Sequence, residues 1–451
     1  MSERTGIYDP ALPGGREEPR LARRGLIGFL SVGDGEFEGG DLKRIGKTIR
    51  GEAMRNRIIF YVMWSVLMLW SGCQRPVERM VKPDYDRPLP PGEPALRKIT
   101  EAAEMPDFRA GCYDLTGIYE AIENSLNYLS KPSSKAFFPY GEITHEQAVA
   151  SLKVFGEIVA SGVRGEQLDQ IIREQFDVYI SVGCDNKGTV LFTGYYTPIL
   201  DGSLSPTEQF CYPLYQQPED LEKGANGEIL GRRLASGELI PYPARVVLEN
   251  SGMLKGKELI WLGDAFEAYI AHVQGSAKIR TPEGEMITVG YAANNGHEYK
   301  SIRDELIKDK KISAEDMSLA AMIAYFKQHK DEINRYTNRN PRYVFFREEP
   351  GEPRGSLNEP VTALRTIATD KTIFPRASLA FITTRLPQAT GSRIVKQSYG
   401  GFCLDQDTGG AIRAPGRCDV YMGQGIVAGR KAGQTYEEGR LYYLFLKDRV
   451  R

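Results

Sequence analysis

The sequence predicts a mainly β protein in which one domain is interrupted by another. With 24 tyrosines, 47 glycines and 26 prolines, the chain favours many short strands and turns over a helical bundle. The flanking stretches 106–205 and 346–451 share a texture that the middle, 206–345, lacks, which is the pattern of an inserted domain. A length of 451 residues, 41% hydrophobic and 26% charged, allows two or three such globular units.

The N-terminal region has a different logic. Residues 1–53 are rich in Gly, Arg and Glu without sustained periodicity and are expected to be an unstructured extension. From Met54 the chain reads as a secretory signal, with Arg55 and Arg57 ahead of a thirteen-residue apolar run, Ile58 to Trp70, broken only by Ser65. A bilayer span takes about 20 residues, so this run fits a signal-peptide h-region instead. It ends in Ser71-Gly72-Cys73, like a bacterial lipoprotein cleavage site, with Trp70 at the position where such sites usually carry Leu. The expectation is a signal peptide over 54–72, a lipidated Cys73 and translation starting at Met54. A Pro- and charge-rich tether should follow over 73–105.

Helical spacing predicts amphipathic helices over Leu115–Leu129, His145–Ser161 and Arg164–Phe176. Phe176–Ser181 and Gly188–Tyr196 alternate as strands do. The second runs into Thr193-Gly194-Tyr195-Tyr196-Thr197, whose hydroxyls and aromatic faces suit a sugar. In the middle segment, Gln274-Gly275-Ser276 lies between two β-like runs, and helices are expected at Tyr299–Lys308 and Ala314–His329. Tyr343–Phe346 returns to strand, and strand-and-turn character is expected as far as Leu446.

Several function classes fall away. A net charge of -1 offers no basic field for nucleic acid. The six cysteines form no C-x-x-C pair and the four histidines are dispersed, so no metal centre is expected. No G-x-S-x-G elbow occurs. What remains is an acidic constellation: Asp405, Asp407 and Asp419 on short glycine-punctuated segments. Asp407 and Asp419 are twelve residues apart, with Gly409-Gly410 and Pro415-Gly416 turns between them. Carboxylates brought together in a partly dry pocket hold one proton between them, as glycosidic bond cleavage requires.

The chain resembles the membrane-bound lytic murein transglycosylase A family. The motifs are FTGYYTP at 192–198, YPLY at 212–215, HVQGSA at 272–277, YAANNGHEYKSI at 291–302, NPRYVFF at 340–346, DTGGAI at 407–412, CDVYMG at 418–423 and AG..YEEGRLYYL at 432–444. Met422 departs from the Gln usual in the family, and the chain is read as one residue longer between the two acids. The resemblance implies a double-psi β-barrel formed by 106–205 and 346–451, with a smaller, mainly β domain inserted at 206–345 and a glycan groove between them. It implies cleavage of the β-1,4 bond between N-acetylmuramic acid and N-acetylglucosamine of peptidoglycan, leaving a 1,6-anhydro ring. Asp419 would be the catalytic acid and Asp407 a second catalytic carboxylate. Thr193, Tyr195, Tyr196, Thr197, Gln274, Ser276 and Asp405 would contact substrate.

No metal or organic cofactor is called for. The expected setting is a monomer lipid-anchored to the inner leaflet of the outer membrane of a Gram-negative bacterium, facing the periplasm, with glycan strands as its partner and no nucleic acid. Two other classes would use the same groove: a hydrolase employing both aspartates, which would release reducing ends, and a non-catalytic cell-wall binder, which has no need of the acid. In an oxidising periplasm, Cys403 and Cys418 are the disulfide pair to test.

Overall fold

The structure, a computed structural model, describes residues 83–224, 227–390 and 393–448. The predicted extension, the signal peptide and Cys73 lie outside the described residues. Seventeen strands run through the described residues. They begin with β1 (Leu96–Lys98), β2 (Phe176–Ser181), β3 (Val190–Thr197), β4 (Ile199–Ser203), β5 (Tyr212–Tyr215), β6 (Leu221–Lys223), β7 (Ile229–Arg233) and β8 (Leu239–Ile240). The middle strands are β9 (Glu258–Leu262), β10 (Ala277–Arg280), β11 (Met286–Asn294) and β12 (Val344–Glu349). The last are β13 (Thr366–Ala368), β14 (Leu379–Thr390), β15 (Arg393–Asp407), β16 (Arg417–Gln424) and β17 (Tyr436–Leu446).

Six strands close into a barrel in the order β17-β14-β15-β13-β16-β3, with β3 returning to β17. Closure removes the exposed edges that an open sheet would present. The length of β17 makes it possible, because one strand serves three partners. Tyr436–Gly439 pairs with β3, Arg440–Tyr443 with β14, and Tyr442–Leu446 with β2. A second sheet, β12-β11-β10-β4-β9-β5, and a small third one, β6-β7-β8, come from residues 199–349.

Apolar residues on alternate strand positions set which way each strand faces. Along β16, Cys418, Val420 and Met422 are buried in the core, while Asp419 and Tyr421 turn to the opposite face. Helices Ile118–Ser130, His145–Ala160 and Gly165–Gln175 cover other parts of the barrel. Aromatic contacts anchor this layer: Phe155 of His145–Ala160 meets Phe402 at 5.0 Å, and Phe108, just ahead of the next short helix, meets Phe381 at 4.8 Å between ring centroids. Each fully buried ring contributes on the order of 2–3 kcal/mol. The short helix Arg109–Tyr113 presses so closely on β14 and β15 that a Cβ at Gly111 would lie 2.6 Å from the Phe381 ring. Arg365 fastens the same region, its buried guanidinium donating to the carbonyls of Thr116, Asp114 and Phe402. Ile302, Leu306 and Phe326, from helices of the middle segment, belong to this same core.

Three expectations change. The run before Gly275 is a helix, Ala265–Gln274, not a β-like segment. Asp264 caps it by accepting from the Phe266 and Glu267 N–H groups, and Gly275 ends it with a φ of 76°. A second helix, Gly425–Gln434, interrupts the expected strand-and-turn run to Leu446. The tether predicted to run to residue 105 is folded well before that. Leu96–Lys98 pairs with Ser181–Tyr179, and Ala95 and Leu96 are buried.

Candidate active site

Thr193, Asp419, Ala368 and Asp407 lie in one row across the barrel. Asp419 sits beside Thr193 in the parallel pair β16–β3 and beside Ala368 in the antiparallel pair β16–β13. Ala368 in turn registers with Asp407 of β15. Two strand spacings therefore bring residues twelve apart in sequence to within about 10 Å at the backbone. The Thr193 hydroxyl donates to Oδ1 of Asp419. Tyr421 and Tyr195, one step further along β16 and β3, pack with ring centroids 5.1 Å apart.

The two carboxyl groups differ in their donors. Oδ1 of Asp407 accepts the N–H groups of Ser356 and Thr408, both at 2.8 Å. The buried Tyr195 hydroxyl, without a well-formed bond of its own, faces the same carboxylate. Burial pushes Asp407 upward, and these donors pull against it. Asp419 has no backbone donor among its described hydrogen bonds. Burial raises its pKa to about 6, with Asp407 adding to the rise and Arg417 opposing it. Two N–H donors favour an anion at Asp407, and burial opposed by one hydroxyl donor favours a proton on Asp419.

Behind the row, the Thr197 hydroxyl is 2.9 Å from the Tyr421 hydroxyl and 3.5 Å from that of Ser276. Gln274 Oε1 accepts the Tyr196 N–H at 3.0 Å. Lys278 of β10 and Gln424 of β16 both donate to Glu352, at 2.9 and 2.5 Å, which ties the second sheet to the end of the strand bearing Asp419.

Three expected substrate contacts are placed elsewhere. Asp405 is 0% exposed. Lys371, Thr369 and Tyr443 hold its carboxylate inside the core, so it is a structural ion pair. Tyr196 points to the opposite face of β3 from Thr193, because side chains alternate, and its ring lies against Gly429 of the Gly425–Gln434 helix. Thr197 is 1% exposed, so its hydroxyl positions Tyr421 instead of meeting a ligand directly. Thr193, Tyr195, Gln274, Ser276, Asp407 and Asp419 keep partial exposure. Cys403 and Cys418 are buried free thiols; burial pushes Cys403 up to about 12 and holds Cys418 well above the usual thiol range. Met422 lies in the core, so the departure from Gln does not touch the acid. Sequence reasoning assigned no role to Tyr421, Ser356, Lys371 or Arg417. Only Tyr421 carried a signal, by standing in the quoted CDVYMG segment.

Comparison with known proteins bears directly on this arrangement. Residues 191–347 match the MltA specific insert domain and residues 365–445 match the 3D domain. Membrane-bound lytic murein transglycosylase A of Escherichia coli K12 is 29% identical over 272 residues, covering 59% of this chain and 69% of that protein. The Vibrio cholerae protein of the same name is 27% identical over 271 residues, covering 59% and 68%. The chain belongs to the lytic murein transglycosylase A family. Solved members share the fold. The membrane-bound lytic murein transglycosylase of Agrobacterium tumefaciens superposes with a TM-score of 0.66 at 24% identity, covering 79% of this chain and 98% of that one. E. coli MltA with bound chitohexaose gives 0.60 at 24% identity, covering 81% and 99%. Among the described residues no helix is long and apolar enough to cross a membrane.

Proposed function

We propose that the chain is a lytic transglycosylase of peptidoglycan. It would cleave the β-1,4 bond between N-acetylmuramic acid and N-acetylglucosamine and leave a 1,6-anhydro end. The observation that carries this reading is the row in which Asp419, its pKa raised to about 6 by burial, lies beside Thr193 and two strands from an N–H-bound Asp407. The family's names and the bound glycan of the E. coli relative support the substrate class. The barrel would have double-psi topology, with 206–345 inserted and the glycan lying between the barrel face and the second sheet.

Protonated Asp419 gives its proton to the glycosidic oxygen as the C1–O4 bond breaks, and the N-acetylglucosamine alcohol departs. The carboxylate of Asp407 stabilises the positive charge growing on the muramyl ring. The ring's own C6 hydroxyl attacks C1, and Asp419, now anionic, takes that hydroxyl's proton. No water is consumed and the acid is regenerated. Intramolecular attack replaces the positioning of a free nucleophile. Tyr195, Gln274 and Ser276 contact sugar, while Thr193 orients the acid.

Two carboxyl groups on one row would also serve a hydrolase that uses them as an acid and a base. Mass analysis of muropeptides released from purified sacculi separates the two. The transglycosylase yields products one water lighter, and products with only reducing ends would overturn the reading. Cys73 is proposed to carry the lipid that holds the enzyme on the periplasmic face of the outer membrane as a monomer.

A further inference from the structure

The chain entering the folded region crosses the face that bears the acid. On that face, the row next to Asp419 and Thr193 consists of Arg417, Leu191 and Glu438, side by side on β16, β3 and β17. Residues 84–87 lie over this row as a strap. The Tyr85 hydroxyl donates to Glu438 at 2.8 Å, and Arg417 Nη1 donates to Asp86 at 3.1 Å. Arg87 reaches Asn186 at 2.6 Å, and the Tyr85 carbonyl packs so closely that a Cβ on Gly416 would lie 2.5 Å from it. Arg417 and Asp419 are two positions apart on one strand, hence on the same face and roughly 7 Å apart. Arg417 is 16% exposed on its side chain, and its Nε is buried without a partner. Asp86 is its one ion-pair partner among the described residues.

We propose that the strap is part of the active site: Asp86 engages Arg417, sets how much of the guanidinium's charge reaches Asp419, and thereby makes the end of the membrane tether a determinant of the acid's protonation. This rests on Asp419 being the acid. The other titratable groups around Asp419 are Asp407 from β15, Tyr195 from β3, Cys418 and Tyr421 on its own strand, Tyr436 and Glu438 from β17, and Tyr85 from the strap. Arg417 is the group among them that opposes protonation of Asp419. The ion pair holds the guanidinium toward the strap, so losing Asp86 frees Arg417 to turn toward Asp419 and favour its anion. Arg417 and Asp86 are thus positioning residues, acting through the acid without touching the reacting atoms.

The test uses the mature chain with Asp86→Asn, Arg417→Gln and the double substitution. Two readouts are taken: the carboxyl-carbon NMR titration of Asp419 and the pH profile of sacculus digestion. Asp86→Asn should move the Asp419 midpoint toward acid, and Arg417→Gln should move it toward base, each by a few tenths to about one pH unit. The double variant should match Arg417→Gln alone, because Asp86 acts through Arg417. A midpoint unmoved by Asp86→Asn, or a double variant equal to the sum of the singles, overturns the proposal. If the midpoints shift as stated while the digestion profile stays put, the strap coupling stands and Asp419 loses its assignment as the acid.

Discussion

Replacing Asp419 by Asn should stabilise the protein while disabling it. The structure raises this carboxyl from 3.8 to about 6, chiefly by burial. Above pH 6 the folded chain must therefore carry a charge that its surroundings disfavour. The native state binds more protons than the unfolded chain between those two values, so wild-type stability falls as pH rises through that window. At 1.36 kcal/mol per unit, the full penalty is about 3 kcal/mol. Partial exposure of the carboxyl reduces the expected figure to about 1–2 kcal/mol. Asn keeps the acceptor for the Thr193 hydroxyl and carries no charge. Urea unfolding at pH 7.5 should show the variant more stable by that amount, with the gap shrinking to about a third of its size at pH 4.5. Sacculus digestion should drop by at least the ~10²-fold that a general acid supplies. Equal stabilities at pH 7.5, or a gap that widens toward acid pH, would refute the reasoning that burial sets this proton.

Lys371→Met removes the one cation bound to the buried Asp405 carboxylate among the described residues; unfolding experiments should register a loss of about 3–5 kcal/mol, with destabilisation exceeding that of Asp405→Asn in the same strand. Tyr421→Phe deprives the buried Thr197 hydroxyl of its nearest partner and should cost about 1–3 kcal/mol, read by the same method. Gly429→Ala places a Cβ 2.8 Å from the Tyr196 ring; despite alanine's better helix propensity, the clash should lower stability by about 1–2 kcal/mol net. Mass spectrometry of membranes should find a diacylglyceryl fragment beginning at Cys73, and recovery of an unmodified chain carrying residues 1–72 would end that proposal.

The eight motifs in order sufficed to indicate the family, and apolar spacing located Ile118–Ser130, His145–Ala160, β2 and β3 to within three residues at each end. Strand alternation was also present in FTGYYTP: it places Thr193, Tyr195 and Thr197 on one face and Tyr196 on the other, a distinction that composition alone blurs. The helix Ala265–Gln274 was misread as β-like, although Asp264 and Gly275 mark its two ends. The helix Gly425–Gln434 was harder to see, because Gly425, Gly429 and Gly433 weaken helix propensity. Those glycines are explained by tertiary contacts, with Gly429 against Tyr196 and Gly433 against Leu319.

Asp405 and Asp407 look equivalent in sequence. A register shift in β15 opposite Ile367 and Ala368 separates their environments, one aspartate neutralised by Lys371 inside the core and the other held at the row by two N–H groups. Local sequence determines which strands and caps can form, since those depend on neighbours a few residues away. The pairing of Thr193 with Asp419, 226 residues apart, and of Asp86 with Arg417, 331 apart, depends on how the barrel closes. Burial, which decides the proton on Asp419, exists only after it has closed.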